Sequence, residues 1–134
     1  MGSPGKNTNS VQEPTRSELE ILQVLWRYGP STTRFVNDQL NKEQRKVIYM
    51  STLKLMQIMF DKGMLEKDDS QHKHIYRAKV EEGVTKGALL SKVVDKVFNG
   101  SAAGLMLQLL GNSNLSKDEI EEFRELIEKI DKKD

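Results

Sequence analysis

The residue types that carry out catalysis are scarce in this chain. Among its 134 residues there are two histidines, His72 and His74, and no cysteine. The sequence shows no serine, histidine and acid arrangement, and no glycine-rich loop of the kind that cradles phosphate. The lack of cysteine also excludes disulfides, thiolate metal sites and a thiol nucleophile. The sequence therefore predicts a protein with no catalytic residues, no cofactor and no enzyme activity.

The two histidines raise the question of a metal site. Their i, i+2 spacing would place both imidazoles on one face of a strand, where Asp68 or Asp69 could add a further ligand. The alternative is that they belong to a polar turn at the surface. We favour the turn and predict no bound metal.

A different chemistry, the reading of DNA bases, is indicated by residues 49–54. Small or polar side chains on the first turns of a helix can reach base edges in the major groove. Ser51 can hydrogen-bond to either type of base, Met50 can touch a thymine methyl group, and Lys54 can reach the acceptors of guanine. Together with Tyr49, these residues form the predicted base-reading set.

Cations and hydroxyl groups around this set could hold the neighbouring phosphates. Two of the candidates come just before the reading helix, two begin the helix before it, where free backbone N–H groups help, and two lie in the hairpin that follows. The predicted phosphate-binding residues are Thr32, Thr33, Arg45, Lys46, Lys73 and Arg77. The competing interpretation is that all of these are ordinary surface residues of a small helical bundle.

A helix within residues 45–63, beginning after Lys46, must position the base-reading set. Its apolar residues and one threonine recur at steps of three and four, which predicts an amphipathic helix. The predicted buried face consists of Ile48, Thr52, Leu55, Met56, Met59 and Phe60. Gly63 stands where a left-handed C-cap would end the helix. Two short strands, residues 64–67 and 73–78, are predicted to follow around a polar turn, as in the wing of a winged helix-turn-helix.

Two earlier helices complete the predicted DNA-binding domain. Thr15 and Glu18 have the spacing of a capping box. The first helix is expected to end near Arg27, with Trp26 as a core anchor. Caps for the second helix are available at residues 31–33, and residues 41–46 are expected to be a polar connection to the reading helix. The domain is predicted to span residues 15–80, after a disordered tail over residues 1–14.

Residues 81–134 are predicted to form a second, helical module. Asn99-Gly100 and a loop over residues 111–114 are expected to separate its helices, and Ser116 with Glu119 has the spacing of a capping box. Its three short helices bury too little surface to be stable alone, yet they have wide apolar faces, so we expect two copies to pack together as a homodimer. The predicted dimerisation residues are Leu89, Leu90, Val93, Val94, Val97, Phe98, Leu105, Met106, Leu109, Leu110, Ile120, Phe123, Leu126 and Ile127. The alternative is that these helices fold back on their own winged domain. The predicted fold class is mainly α with a small β-wing: a winged helix-turn-helix domain plus a C-terminal three-helix dimerisation module.

The charge distribution agrees with this division, although the formal net charge is only +1. Residues 31–79 contain ten Lys or Arg against six Asp or Glu, whereas residues 116–134 contain five against eight. A basic middle and an acidic tail fit a polyanion-binding module joined to a different one. The chain lacks a signal-peptide core and an apolar run of membrane-spanning length, and we expect a cytoplasmic protein.

The chain also resembles the BlaI/MecI/CopY family of penicillinase-type transcriptional repressors. The matching segments are SELEILQVLW, YMSTLKLMQIMFDKG, HIYRA, VFNGSAAGLMLQLL and LSKDEIEEFRELIEKI. Their order and spacing together carry the resemblance, which covers the chain from Thr15 to about Lys133. It implies a dimeric winged-helix repressor that sits on a palindromic operator and dimerises through its C-terminal helices. For the β-lactam branch it also implies a membrane sensor-protease pathway upstream.

Two departures from the family pattern limit what the resemblance implies. The copper branch uses cysteine pairs near its C-terminus, and this chain has no cysteine. The β-lactam repressors are cut at an Asn-Phe bond, where this chain has Gln108-Leu109. The sequence therefore predicts a DNA-binding repressor without naming its inducer. The alternatives are a winged-helix protein-interaction module that never binds DNA, and a regulator whose apolar C-terminal module binds a small ligand.

Overall fold

The structure is a computed structural model that describes residues 13–111 and 115–132. Its elements in chain order are α1 (Arg16–Tyr28), α2 (Thr33–Glu43), α3 (Tyr49–Asp61), β1 (Leu65–Asp68), β2 (Ile75–Ala78), α4 (Glu82–Val97), α5 (Ala102–Gly111) and α6 (Lys117–Lys132). This composition confirms the predicted fold class. The predicted tail over residues 1–14 lies almost wholly outside the described residues, as does most of the loop predicted after α5.

The chain divides into two compact units, one ending at Leu89 and the other starting at Leu90. This dividing point lies within α4. The domain boundary predicted between residues 80 and 81 stays a prediction.

The first unit has a core that α1, α2, α3 and the hairpin share. Its buried apolar side chains are Ile21, Leu22, Val24, Leu25, Val36, Leu40, Met56, Met59, Met64, Leu65 and Tyr76. Trp26 packs against this core, and its indole Nε1 donates a hydrogen bond to the backbone oxygen of Val80 at 3.0 Å. The predicted role of Trp26 as a core anchor is confirmed.

The helix starts follow the predicted capping chemistry. Thr15 and Glu18 form a reciprocal capping box, with hydrogen bonds of 2.9 and 3.2 Å. Thr32 caps α2 by accepting a hydrogen bond from the backbone N–H of Phe35. The connection lies at residues 44–48 and not at the predicted 41–46, because α2 continues to Glu43 and α3 begins at Tyr49.

The reading helix begins later than predicted and buries a narrower face. Residues 45–48 are not helical, and α3 starts at Tyr49. Ile48 is therefore 70% exposed, and the predicted burial of Ile48 is wrong. Phe60 is also exposed, because it lies about 80° around the helix axis from Thr52. Thr52, Met56 and Met59 are buried as predicted.

The hairpin pairs β1 with β2 in antiparallel register, Glu66 opposite Arg77. The first strand is shifted by one residue and the second is two residues shorter than predicted. His72, Lys73 and His74 therefore lie in the connecting loop and not on a strand. The strand argument for a shared histidine face therefore fails. Within the described residues, no three His, Cys, Asp or Glu side chains gather as metal ligands.

The turn of the hairpin has the predicted chemistry. The Asp68 carboxylate accepts hydrogen bonds from the Ser70 hydroxyl at 2.7 Å and from the Ser70 backbone N–H at 3.0 Å. These bonds hold the pKa of Asp68 below its usual value. The hairpin is also fastened to the start of α2, because Ser31 and Tyr76 exchange two backbone hydrogen bonds of 2.8 Å.

The second unit contains the end of α4 together with α5 and α6. Asn99 and Gly100 both have positive φ angles and end α4 as the sequence predicts. The capping box predicted for α6 is present between Ser116 and Glu119. None of the described side chains from Leu90 onward is buried. Across both units, the described helices are all too short or too polar to cross a membrane.

Candidate nucleic-acid interface

The first turn of α3 is open to solvent. Ile48 precedes it in an extended conformation and makes no side-chain capping bond. The Ser51 N–H donates to the Ile48 backbone oxygen at 3.1 Å, which leaves the Tyr49 and Met50 N–H groups for an outside acceptor such as a phosphate. Met50 is 63% exposed, and Ser51 and Lys54 are exposed beside it. Three members of the predicted base-reading set thus share one accessible helix end.

Tyr49 is placed differently from the rest of this set. It is half-buried, and the Arg34 guanidinium lies over its ring, 4.2 Å from the centroid. This cation–π contact orders the Arg34 side chain next to α3. Tyr49 therefore supports a neighbouring cation in this structure, and Arg34 joins the candidate phosphate-binding residues.

A groove runs between α3 and the hairpin, and several cations line it. We call it the wing groove. Its lining residues are Thr32, Thr33, Arg34, Tyr49, Leu53, Gln57, Lys67, Lys73, His74 and Tyr76. Arg34, Lys67 and Lys73 give it a positive character, which suits a phosphate backbone.

The two threonines at the start of α2 are used inside the protein. The Thr32 hydroxyl accepts the capping bond from Phe35, and Thr33 is buried. Their side chains are thus less accessible than the sequence suggests. Of the predicted phosphate-binding groups in this turn, the free backbone N–H groups are the ones that remain available to a phosphate.

Arg45 and Lys46 differ in their surroundings. The Arg45 guanidinium forms an ion pair with Glu20 at 3.2 Å and donates a hydrogen bond to the Ser17 hydroxyl at 3.1 Å. These contacts tie Arg45 to α1. Lys46 is exposed. Lys46 is therefore the better candidate for a phosphate contact before α3.

A second ion pair anchors the other end of α3 to α1. The Glu18 carboxylate is buried, and the Lys62 ammonium lies 2.7 Å from it. Burial raises the pKa of Glu18, but the hydrogen bonds from Lys62 and Thr15 outweigh it, so the pKa falls below its usual value. Glu18 thus holds the residue that directly follows α3, and Glu20 holds Arg45 in the connection that leads into it.

In the hairpin, Arg77 and Lys73 are both exposed. The Arg77 guanidinium forms an ion pair with Glu66 at 2.6 Å. An exposed pair of this kind is weak and can be exchanged for a phosphate contact. Lys73 lies in the loop at the edge of the wing groove. Both residues remain candidates for contacts with the DNA backbone.

The sequence did not identify Arg34, Lys67 and Gln57 as residues of the wing groove. It also did not identify Glu20 as the ion-pair partner of Arg45. These residues come together only when α2, α3 and the hairpin pack, and their spacing in the sequence carries no such signal. The pairing of Glu18 with Lys62 was missed for the same reason, since 44 residues separate them. The positive surplus over residues 31–79 was the one sequence feature that indicated the groove.

A helix-turn-helix followed by a two-stranded wing defines the class of the first unit as a winged helix-turn-helix. The comparisons with known proteins then identify the family. A penicillinase repressor family profile matches residues 14–129, and the chain belongs to that family of transcriptional repressors. The family resemblance seen in the sequence is thereby confirmed.

Relatives from several bacteria match over most of their length at low identity. The chain is 24% identical to the methicillin resistance regulatory protein MecI of Staphylococcus aureus (strain N315) over 123 residues, 90% of this chain and 98% of the relative. It is 25% identical to the penicillinase repressor of Bacillus licheniformis over 121 residues, 88% of this chain and 91% of the relative. These names are those of regulatory proteins, not enzymes.

Proposed function

We propose that this repressor is a homodimer that binds a palindromic DNA operator sequence-specifically. In the proposed complex α3 enters the major groove of each half-site, and the hairpin contacts the adjacent backbone. The observation that carries the proposal is the uncapped, solvent-open first turn of α3, which presents Met50, Ser51 and Lys54 together. Repression follows when the bound dimer occupies a promoter.

The charges around this helix end support a DNA partner. Lys46 precedes α3, and the wing groove beside it contributes Arg34, Lys67 and Lys73. Phosphate contacts from both sides would fix the register of α3 on the duplex, while the exposed first turn reads base edges. The two sets of residues therefore have separate roles, one in affinity and the other in sequence discrimination.

The apolar surface of the second unit supports the homodimer. The large apolar side chains that are exposed from Leu90 onward are Leu90, Val93, Val97, Met106, Leu107, Leu109, Leu110, Ile120, Phe123, Leu126 and Ile127. Removing apolar surface from water stabilises a complex by about 25 cal/mol per Å². The many exposed apolar side chains of this unit therefore favour a partner that covers them. A second copy offers the same surface by two-fold symmetry. The three remaining predicted residues in this unit, Val94, Phe98 and Leu105, are partly buried within one copy.

A membrane sensor-protease pathway upstream is the part of the proposal that rests on the family resemblance alone. The pair Gln108-Leu109 lies in α5, where the β-lactam repressors have their cleaved Asn-Phe bond. The different residues make cleavage at this bond by the same specificity unexpected. Release from DNA would still follow from anything that weakens the dimer, since two linked half-site contacts bind much more tightly than one.

A binding titration tests the proposal directly. Fluorescence anisotropy would follow the purified chain on labelled fragments from upstream of its own gene, at moderate salt, with shuffled fragments of equal composition as controls. We expect at least one fragment to bind about 1,000-fold more tightly than its shuffled control. Equal binding to every fragment would reject the proposal and favour the protein-interaction module, which the small net charge also fits.

A further inference from the structure

The segment that joins α2 to α3 is held by two asparagines. Asn37 and Asn41 lie one turn apart on α2, and both contact Val47 in the extended segment before α3. We call this pair the asparagine clamp. It holds the backbone just before the solvent-exposed first turn of α3.

The clamp binds both polar groups of the Val47 backbone. The side-chain amides of Asn37 and Asn41 each donate to the Val47 carbonyl oxygen at 3.0 Å. The Val47 N–H in turn donates to Asn41 Oδ1 at 3.1 Å. One residue of the connection is thus fixed by three hydrogen bonds, although it belongs to no helix or strand.

The clamp also reaches α3 itself. Asn37 Nδ2 donates to the Thr52 hydroxyl at 2.8 Å, and both side chains are buried. Asn41 Nδ2 donates to the Asn37 backbone oxygen at 2.7 Å and lies 3.3 Å from Asn37 Oδ1. A buried polar network of this kind specifies one arrangement, because any other leaves polar groups without partners.

The residue types are hard to explain by helix formation alone. Asparagine is a poor helix former in a helix interior, and α2 contains it at two positions one turn apart. The extended conformation that the clamp imposes turns Val47 toward the core and leaves Lys46 and Ile48 exposed. The clamp therefore decides where the first turn of α3 begins and which side chains flank it.

We propose that Asn37 and Asn41 are positioning residues that set α3 against α2 and so control how well this repressor discriminates operator from other DNA. The inference rests on the proposed DNA-binding function and adds residues that do not touch DNA. Loss of the clamp loosens residues 45–48 and the start of α3. Base contacts then become less selective, whereas phosphate contacts made by long, flexible cations persist.

The test compares variants of the full chain at a temperature where each is fully folded. Asn41→Ala removes the partly exposed half of the clamp, and Thr52→Val removes the acceptor on α3 with little change of shape. Val24→Ala is the control, because it shortens a buried apolar side chain of α1 that cannot take part in the hydrogen bonds of the clamp. Urea unfolding of all three variants gives the stability loss against which the other measurements are compared.

Two measurements separate positioning from stability. Amide hydrogen exchange at Val47 should become about tenfold faster in Asn41→Ala and stay unchanged in Val24→Ala. The ratio of affinities for the bound upstream fragment and its shuffled control should fall about five- to tenfold in Asn41→Ala and in Thr52→Val. Affinity for the shuffled fragment and its salt dependence should not change.

The possible failures are distinguishable. One outcome is that the native chain discriminates between the two fragments while the clamp variants show the same ratio of affinities as the native chain. In that case the clamp proposal is wrong and the proposed function stands. An equal drop of the ratio in Val24→Ala would also reject the clamp, because stability alone would then explain it. A native chain without any preference would overturn the proposed function and with it the role of the clamp, whatever the exchange at Val47.

Discussion

Lys46 and Lys54 are exposed cations on two sides of the first turn of α3, and the proposal gives them different roles. Lys54→Ala should reduce the affinity for the operator about tenfold and leave binding to shuffled DNA nearly unchanged, because it removes a contact to base edges. Lys46→Ala should weaken binding to the operator and to shuffled DNA by a similar factor, because it removes a phosphate contact. The slope of log affinity against log salt concentration should fall by about one.

Salt titrations of anisotropy on both fragments measure these effects. Arg45 is unsuitable for this comparison, because its ion pair with Glu20 would add a stability loss. If Lys46→Ala and Lys54→Ala changed both affinities alike, the division between phosphate and base contacts would be wrong.

The buried carboxylate of Glu18 predicts a pH dependence of stability. Its pKa in the folded protein lies below the ordinary value of 4.5. The pair with Lys62 therefore contributes stability that is present above pH 4.5 and is lost as the pH falls through the lower folded pKa. Glu18→Gln should lower the free energy of unfolding by on the order of 1–2 kcal/mol at neutral pH, since Lys62 is partly exposed.

Urea unfolding at neutral pH and at several lower values checks this prediction. The difference between native chain and Glu18→Gln should shrink as the pH falls below the folded pKa. Arg16→Gln serves as a control, because the Arg16 side chain is almost fully exposed and its contact with Glu20 is 4.0 Å long. A difference that is independent of pH would show that Glu18 acts by packing and not by charge.

At the scale of helices and strands, the sequence predicted the elements well and their ends less well. Periodicity located α1, α2, α3 and the hairpin, because each buries one face against the shared core. It also wrongly began the reading helix at residue 47, two residues before its start at Tyr49. The backbone there is held by Asn37 and Asn41 from another helix, and a single-sequence pattern does not contain that contact.

The residues of the candidate site were likewise predictable where they lie on one element, and not where they depend on packing between elements. Residues on one helix turn, such as Met50, Ser51 and Lys54, follow from helical spacing alone. The ordering of Arg34 by Tyr49 and the capture of Arg45 by Glu20 depend on tertiary packing. Local sequence therefore identifies candidate side chains for DNA contacts, and the fold decides which of these candidates are engaged inside the protein.

The apolar face of α6 gives the element-scale test of dimerisation. Phe123→Glu should convert the chain largely to a monomer, because it places a charge within the exposed apolar face that a second copy would cover. Glu125→Gln, on the polar side of the same helix, should leave the dimer intact. Sedimentation equilibrium over a range of concentrations measures both. A dimer that survives Phe123→Glu with unchanged affinity would place the interface elsewhere.

For the whole molecule, the proposal requires that two reading helices bind one duplex at the same time. Replacing one half-site of the bound fragment should weaken binding about 100-fold, because the linked second contact is lost. The Phe123→Glu variant should bind the full and the half fragment alike, with the affinity of one half-site. Anisotropy titrations with the two fragments compare these affinities. Equal binding of the native chain to both fragments would contradict simultaneous binding.

The two acidic side chains of α1 have a genetic consequence. Glu18 fixes Lys62 after α3, and Glu20 fixes Arg45 before it, so the orientation of the reading helix is set from a helix outside the proposed interface. A selection for restored repression of a mutated operator should therefore yield second-site revertants in α1 as well as in α3. Such revertants would alter the tilt at which the protein meets its promoter without replacing any side chain that faces the bases.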